Sequence, residues 1–317
     1  MAKPARVLLI AVALAVLLAV ACNGGGDPEP AAPDPAPSEP AQDSAASGAS
    51  GDGGPDLNGI LATKDLGVGE NRVSFLLTSP RALIKVPSAT VTSVNLSAPN
   101  ATVETATAEF FLWPFGSRGN YVTDMTFDQP GEWRLDIEVT EEDGSVSRAE
   151  IPLTIVERSH TPSFGDAPPS AGNKTARDVG TLAELTTDST PDPDLYAQTI
   201  EEALGEEKPL VLVFASPALC TSPTCGPQVD TVAELKEQYK GQAGFIHVEV
   251  YDNPADIQGD LDRAQYSPLV EEWGLSAQTG YLNESWVFIF DAAGALTSKY
   301  QGYASIDELT KGLEAVL

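Results

Sequence analysis

Two stretches of this chain contain too few large apolar residues to form a hydrophobic core, and they separate the parts that can fold. Residues 23–56 consist almost entirely of Pro, Ala, Gly, Ser, Asp and Glu, without one aromatic residue. This composition cannot offset the entropy lost on folding, so a disordered tether is predicted over 22–56. Residues 158–180, again rich in Ser, Pro, Gly and Ala, are predicted to be a shorter linker. Two folded domains, 57–157 and 181–317, therefore remain.

The N-terminus has the pattern of a secretory signal peptide. Lys3 and Arg6 precede an apolar run from Val7 to Ala21. This run is shorter than the roughly twenty residues that span a bilayer, so a retained transmembrane helix is the weaker interpretation. Residues 1–21 are predicted to be removed.

Residues 18–22, Leu-Ala-Val-Ala-Cys, resemble the lipobox of bacterial lipoproteins, although Ala19 stands where that motif favours leucine. The resemblance implies that Cys22 becomes the lipidated first residue of the mature protein. The chain would then lie on the extracytoplasmic side of the cell membrane, anchored by its N-terminal lipid. Cleavage after Ala21 by an ordinary signal peptidase is the alternative.

The net charge excludes one class of partner. The chain carries 18 basic and 46 acidic residues, a formal charge of −28. Loss of Lys3 and Arg6 with the signal peptide leaves 16 basic residues against 46 acidic ones, a charge of −30. Because such a surface repels phosphate, nucleic acid is not expected as a partner.

The first folded part has an all-β pattern of short Val-, Thr- and Phe-rich runs between turns. Trp133, Leu135, Ile137 and Val139 alternate with charged residues, which predicts one buried face. The predicted strands are 71–78, 90–96, 108–113, 121–127, 132–140 and 149–156.

The turn 130–133, Pro-Gly-Glu-Trp, leads into a strand and resembles extracytoplasmic modules of the immunoglobulin-like kind. The resemblance implies an immunoglobulin-like β-sandwich over 57–157. This part of the chain has no cysteine, so it lacks the inter-sheet disulfide of antibody domains.

The last part alternates helical and strand patterns and is predicted to be an α/β fold. Its terminal helix begins with a capping box at Ser305, and Ile306, Leu309, Leu313 and Val316 form the apolar stripe. The predicted elements are a helix at 195–204, a strand at 209–215, a helix containing 229–239, strands at 245–251, 285–291 and 296–301, and the terminal helix.

Cys220 and Cys225 are the two cysteines that remain if Cys22 carries lipid. They lie in a loop between the strand 209–215 and the next helix, and an oxidising compartment favours their pairing. A cysteine at a helix N-terminus is also the better nucleophile, because the helix dipole and free N–H groups stabilise its thiolate.

Residues 225–227, Cys-Gly-Pro, resemble the start of the Cys-Gly-Pro-Cys turn of thioredoxins, with Gln228 in place of the second cysteine. The resemblance implies a thioredoxin-like domain over 181–317 that exchanges disulfides with extracytoplasmic protein thiols. Cys225 would attack and Cys220, at Cys-x4-Cys spacing, would resolve the mixed disulfide. Gly226 and Pro227 would border the site, and no cofactor is predicted.

Two positions depart from the thioredoxin pattern. Val213 stands where thioredoxins commonly bury an acidic residue, and Glu284 or Ser285 stands where the family has a cis-proline. We therefore expect substrate binding and proton transfer to differ from those of the family, although Glu284 and Ser285 still border the predicted site.

Other interpretations of the cysteine pair stay open. The disulfide can be purely structural, in a binding or scaffold lipoprotein without turnover. A copper-delivery assembly factor would need a histidine ligand; His160 lies in the predicted linker and His247 inside a strand, which argues against it. A peroxiredoxin would need the motif Pro-x3-Thr-x2-Cys. Pro217 and Thr221 have that spacing, but Cys225 follows Thr221 one residue too late, so this interpretation is disfavoured. Trp286 and Tyr281 are better explained by packing than by peptide binding.

Overall fold

The computed structural model describes residues 57–80, 83–98, 103–114, 116, 118–276 and 285–317. The predicted signal peptide, Cys22 and the tether lie outside the described residues. We name 57–157 the β region, 158–180 the connecting segment and 181–317 the α/β region. Within the described residues, no helix has the length and apolar character needed to cross a bilayer.

The β region contains the predicted strands with small shifts at their ends, and one strand more. The extra strand, β1, has only four residues and no fully buried side chain, so it lacks the apolar alternation that identified the others. The strands are β1 (Asn58–Leu61), β2 (Gly69–Thr78), β3 (Ser88–Asn95), β4 (Thr105–Leu112), β5 (Gly119–Phe127), β6 (Gly131–Thr140) and β7 (Val146–Ile155).

These strands form one antiparallel sheet in the order β1-β2-β5-β4-β3-β6-β7. The two ends of the sheet meet: Gly59 of β1 lies so close to Ile151 of β7 that a Cβ atom there would overlap its side chain. A bridge between Gly67, just before β2, and Val156, just after β7, also connects the two sides of the sheet. The all-β prediction is confirmed at this level, as a curled, barrel-like sheet.

The predicted buried face of β6 is confirmed. Trp133, Leu135, Ile137 and Val139 are each at most 1% exposed. Trp133 also packs edge-on against Phe127, with 5.1 Å between ring centroids. Because successive side chains of a strand point to opposite faces, the charged residues between them reach solvent. Burial of each large side chain contributes about 1.5–3 kcal/mol.

The α/β region has a four-stranded sheet in the order β11-β10-β8-β9. β8 and β9 are parallel and joined through α2, whereas β10 and β11 run antiparallel to their neighbours. The elements are α1 (Ile200–Leu204), β8 (Leu210–Ala215), α2 (Cys225–Gln238), β9 (Gly244–Glu249), α3 (Pro254–Ile257), α4 (Pro268–Glu272), β10 (Trp286–Phe290), β11 (Leu296–Gln301) and α5 (Ile306–Glu314).

The helix predicted over 195–204 is in fact two short elements. A 3-10 turn at Pro193–Tyr196 ends before Thr199, which caps α1 through a capping box with Glu202. By contrast, the capping box predicted at Ser305 is present at the start of α5. Local side-chain bonds thus decide where these helices begin.

Strand β8 is buried on both faces, so it lies at the centre of this region. Leu212 and Phe214 point into one apolar cluster, where Phe214 meets Trp273 at 5.0 Å between ring centroids. Val211 and Val213 point into the other cluster, against α2 and α5. The fully apolar sequence of β8 reflects this burial on both sides.

A buried ionic contact joins the two regions, which belong to one compact unit. Arg72 of β2 donates to Glu308 of α5 at 2.8 Å and to the carbonyl of Tyr303 at 3.1 Å. The Arg72 side chain is 8% exposed, so this ion pair is largely removed from water.

A second buried contact involves Asp65, Lys299 of β11 and the connecting segment. The Asp65 carboxylate accepts from the amides of His160, at 2.9 Å, and Thr161, at 3.0 Å, and lies 3.8 Å from Lys299 Nζ. Burial alone would raise the pKa of Asp65, but the Lys299 charge and the hydrogen bonds from Thr161 and His160 keep it below its usual range.

Candidate functional site

Cys220 and Cys225 form a disulfide whose Cα atoms lie 6.3 Å apart. The loop that carries them follows β8 directly, and Cys225 is the first residue of α2. The structure therefore brings the two predicted site cysteines together in the strand-loop-helix position expected from the sequence.

The two cysteines differ in exposure. Cys225 is 1% exposed and belongs to the apolar cluster under α2 and α5. Cys220 is only half-buried, at the edge of the same cluster, and Thr221 beside it is exposed. An external thiol can therefore reach Cys220 more readily than Cys225.

The N-terminus of α2 is suited to stabilise a negative charge. No acidic residue lies in the first turn, and the cap residue Thr224 makes no side-chain bond to the helix amides. The Thr224 hydroxyl instead pairs with Ser222, 2.7 Å away. Since the cap side chain does not occupy them, the first amides of the helix and its positive dipole end can stabilise a thiolate at Cys225.

Gly226 and Pro227 follow in the first turn and are half-buried. Pro227 is tolerated there because the first helical amides have no partner within the helix. A Cβ atom at Gly226 would lie 3.5 Å from the carbonyl oxygen of Pro217, an ordinary contact distance. Space alone therefore does not require glycine at this position.

Gln228, which stands in place of the second thioredoxin cysteine, connects α2 to another element. Its side chain is fully buried, and its Oε1 accepts from the amide of Ala304 at 2.7 Å. The residue thus fixes α2 against the loop between β11 and α5.

Sequence reasoning missed a buried acid near the disulfide. Glu249, at the end of β9, is 5% exposed and pairs in register with Ala215 of β8. It accepts from the amide and hydroxyl of Thr187, at 2.8 and 2.9 Å, and from the amide of Val250 at 3.0 Å. Burial raises the pKa of the Glu249 carboxyl, despite its bonds to Ser216 and Thr187.

Glu249 is linked to the cysteine loop through two hydroxyl groups. Thr187 Oγ1 lies 3.3 Å from Ser216 Oγ and accepts from the amide of Ala218 at 3.1 Å. The carbonyl of Ser216 in turn accepts from the amide of Cys220 at 3.1 Å. A change in the charge of Glu249 can therefore affect the cysteine loop through Thr187, Ser216 and Ala218.

The position expected to carry an acid is apolar, as predicted. Val213 is fully buried and pairs with His247 rather than with Glu249. One signal for Glu249 existed in the sequence: it is the one carboxylate in the otherwise apolar or uncharged run 245–251. A charge inside a strand with this pattern indicates a special role.

His247 is bonded at both ring nitrogens. Nε2 donates to the carbonyl of Ala215 at 3.1 Å, so Nδ1 of the neutral ring accepts from Tyr196 Oη at 2.7 Å. Burial lowers the pKa of His247 from 6.5 to about 4. Among the described residues, no group of three or more His, Cys, Asp or Glu side chains is arranged for a metal ion.

A small polar cavity of about 40 Å³ lies beside these groups. Tyr196, His247 and Glu249 line it together with Tyr251 and Ser267. A volume of this size accommodates a few water molecules. A water molecule in this cavity would be able to exchange a proton with the Glu249 carboxyl.

The other predicted surroundings are partly described. Ser285 is fully buried, and its hydroxyl donates to the carbonyl of Gly302 at 3.2 Å. Trp286 is 2% exposed and stacks on Phe288 with 5.7 Å between ring centroids, which supports its packing role. Glu284 and Tyr281 lie outside the described residues.

Comparisons with known proteins do not assign this chain to a family. No family model matches it, and no curated protein matches it. A thioredoxin-family thiol:disulfide interchange protein from Chlorobium tepidum is similar over 49% of this chain and 97% of its own, with 14% identity and a TM-score of 0.30.

Two other solved structures are similar to parts of the chain. The chitinase ChiW from a Paenibacillus species matches 35% of this chain and 9% of its own, with 13% identity and a TM-score of 0.22. A CARDB domain from Pyrococcus furiosus matches 32% of this chain and 89% of its own, with 22% identity and a TM-score of 0.17.

Proposed function

We propose that this protein exchanges disulfides with extracytoplasmic protein thiols through Cys220 and Cys225. The observation that carries the proposal is a disulfide at the start of α2, with one half-buried and one fully buried cysteine. The strand that runs into a Cys-Gly-Pro helix start also supports a thioredoxin-like domain over 181–317.

The difference in exposure changes the roles that the sequence suggested. An external thiolate attacks Cys220, the accessible sulfur, and forms a new S–S bond there while the Cys220–Cys225 bond breaks. The electron pair of the broken bond leaves on Cys225 as a thiolate, which the amides at the start of α2 stabilise. We therefore assign contact with the substrate to Cys220 and the stabilised thiolate to Cys225.

The second step of the exchange releases the protein from the mixed disulfide. Another substrate thiolate attacks the mixed disulfide at the substrate's sulfur, so Cys220 is released and the substrate gains a disulfide. The protein then holds two thiols, having accepted two electrons and two protons. In the reverse direction the same pair reduces a substrate disulfide.

The reduction potential of the pair is the direct test. Equilibrating the purified protein against glutathione and dithiothreitol buffers, followed by mass counting of alkylated thiols, gives its value. A potential between about −120 and −270 mV would match exchange catalysts, whereas one below about −300 mV would indicate a structural disulfide.

Trapping experiments distinguish the two cysteine roles. The Cys225→Ala variant retains the accessible thiol, which should attack added protein disulfides and accumulate mixed disulfides, because no second loop cysteine remains to release them. The matched Cys220→Ala variant retains the buried thiol and should accumulate far fewer. The opposite result would restore the order suggested by the sequence, with Cys225 as the attacking residue.

A non-catalytic binding or scaffold protein is the second candidate. The burial of Cys225 in an apolar cluster favours it, because a buried disulfide resists exchange. In that case the β region would supply the binding surface.

The strand order of the β region, β1-β2-β5-β4 followed by β3-β6-β7, supports an immunoglobulin-like topology. A crystal structure with a different strand order would exclude that topology.

We also propose that Cys22 carries a lipid that anchors the protein on the extracytoplasmic face of the cell membrane. The support is the lipobox-like sequence 18–22 behind a signal-peptide pattern. Metabolic labelling with an alkyne fatty acid should label the wild-type protein and leave Cys22→Ser unlabelled. Equal labelling of both would place the lipid elsewhere.

A further inference from the structure

A wide groove of about 760 Å³ lies away from the disulfide, between the two sheets. One wall is the outer face of β2, β4 and β5, with Glu70, Glu109, Phe111 and Asp124 among its residues. The opposite wall is formed by α5 and β11. Neither proposed role of the cysteines uses this groove.

Ion pairing leaves the groove acidic. Arg72 pairs with Glu308 at 2.8 Å, and Lys299 lies 3.8 Å from Asp65, so these two cations are already engaged. Within the described part of the chain, no ion pair is formed by Lys311 or by four exposed carboxylates of the lining. The four carboxylates are Glu70, Glu109, Asp124 and Asp307.

Apolar side chains lie among these charges. Phe164 is 42% exposed, and Phe111 and Val122 are half-buried on the sheet wall. Hydroxyl groups of Thr107 and Ser298 add hydrogen-bonding capacity. A small inorganic cation would leave these apolar surfaces uncovered, whereas a polypeptide with both basic and apolar side chains would cover them.

Neither the predicted tether nor a second copy of the chain provides such an occupant. The stretch 23–56 contains seven acidic residues and no lysine or arginine, so its charge repels the groove. A second copy, with a formal charge of −28, is disfavoured for the same reason. The occupant must therefore come from a different, basic protein.

We propose that this groove binds a cationic, partly apolar polypeptide segment of another protein. Lysine or arginine side chains would pair with Glu70, Glu109 and Asp124, and apolar side chains would pack on Phe111 and Phe164. Complementary charge would mainly speed association and select the partner, whereas the apolar contacts would slow dissociation.

The test uses the purified protein and a fluorescein-labelled octapeptide of alternating lysine and leucine. Fluorescence anisotropy should show saturable binding that weakens as salt is added. An octapeptide of alternating glutamate and leucine should not bind. In E70Q/E109Q/D124N the affinity for the lysine peptide should fall about tenfold, since three exposed pairs are lost.

The matched control, E142Q/E157Q/E271Q, removes the same charge from exposed residues outside the groove. It should keep wild-type affinity, and a Phe164→Ser variant should bind more weakly with an unchanged salt dependence. Equal weakening in both triple variants would mean that overall acidity attracts the peptide, and would overturn the proposal. Absence of saturable binding to the wild type would overturn it as well.

Discussion

The β region and the α/β region differ in the polar groups that they bury. In the β region Asn71 donates to the carbonyls of its own turn, Gly67 and Gly69, at 2.7 and 2.8 Å, and the buried carboxylate of Asp65 lies 3.8 Å from Lys299 Nζ. In the α/β region the buried groups include ionisable side chains, namely Lys236, His247 and Glu249. Neutral amides stabilise a turn, whereas a buried ionisable group needs a further explanation.

Among these three, Glu249 is the acid that the described part of the chain buries without a cationic partner. Lys236 pairs with Asp192 at 2.6 Å and Asp194 at 2.9 Å, and this fixes the 3-10 turn onto α2. His247 is neutral and bonded at both nitrogens. Glu249 has hydroxyl and amide partners but, among the described residues, no cationic one. The contrast therefore makes Glu249 the group to test for a part in the proposed disulfide exchange.

The largest effect is expected where the two regions meet. Asp65→Ala leaves Lys299 buried without its carboxylate, which should lower the free energy of unfolding by about 3–5 kcal/mol. Urea denaturation followed by circular dichroism measures the change. If the regions unfold separately, the variant should also split the single transition into two.

Glu138→Ala provides the control for that prediction. Its pair with Arg148, on the outer face of the β region, is half-exposed on both sides and should contribute at most about 1 kcal/mol. Similar losses in the two variants would show that the contact between the regions is no more important than a surface pair.

The next effect concerns acid stability of the α/β region. The pKa of His247 falls from 6.5 to about 4 on folding, so its neutral form is favoured. The resulting stability is fully present above pH 6.5 and is lost as the pH falls towards 4, by up to about 3 kcal/mol. His247→Gln should remove this component from a pH series of urea denaturations.

His160→Gln is the comparison at the chain's second histidine: it should retain the acid loss assigned to His247, although it also removes the contact of His160 with Asp65, 3.3 Å away. If both variants retain the acid loss, protonation of His247 does not cause it. Asp65 also loses stability as the pH falls, because its pKa is lowered on folding, so the informative quantity is the difference between variant and wild type.

Removal of the disulfide should have a smaller effect. Only four residues separate Cys220 from Cys225, so the chain-entropy contribution of the bond is about 2 kcal/mol. The C220A/C225A variant should lose that amount and stay folded, as should the wild type with its disulfide reduced. A loss large enough to unfold the α/β region would favour the structural role over exchange.

The sequence predicted those parts of the fold that depend on local pattern. Alternation along β6 identified Trp133 and Ile137 as core residues, and the apolar run of β8 identified a buried strand. β1 was missed because four residues with half-exposed side chains carry too little periodicity. The helix predicted over 195–204 was misjudged because a cap at Thr199 interrupts it.

The site was predicted only in part, for a related reason. A loop motif identified Cys220 and Cys225, but their unequal exposure depends on how α2 packs on the sheet. Glu249 reaches the loop through the β8–β9 register and through Thr187, which is 62 residues away in sequence. Such non-local contacts are not encoded in any single stretch of sequence.

The smallest predicted effect tests Glu249 itself. Glu249→Gln keeps the bonds that Thr187 donates, so stability near pH 4.5 should change by about 1 kcal/mol or less. Because burial raises the pKa of Glu249, the stability linked to its neutral form is present below about 4.5 and is lost as the pH rises. The glutamine variant should therefore gain stability relative to wild type with increasing pH.

The same variant links the buried acid to disulfide chemistry. If Glu249 exchanges protons with the cysteine loop, a plot of the rate of disulfide reduction by dithiothreitol against pH should show one inflection fewer above pH 4.5 in Glu249→Gln than in the wild type. Asp230→Asn on α2 is the control, because burial also raises the pKa of that carboxyl, yet no hydrogen bond connects it to the loop among the described residues. Matching profiles in the two variants would leave Glu249 as a group that affects folding alone, and the contrast between the two regions would then concern stability rather than catalysis.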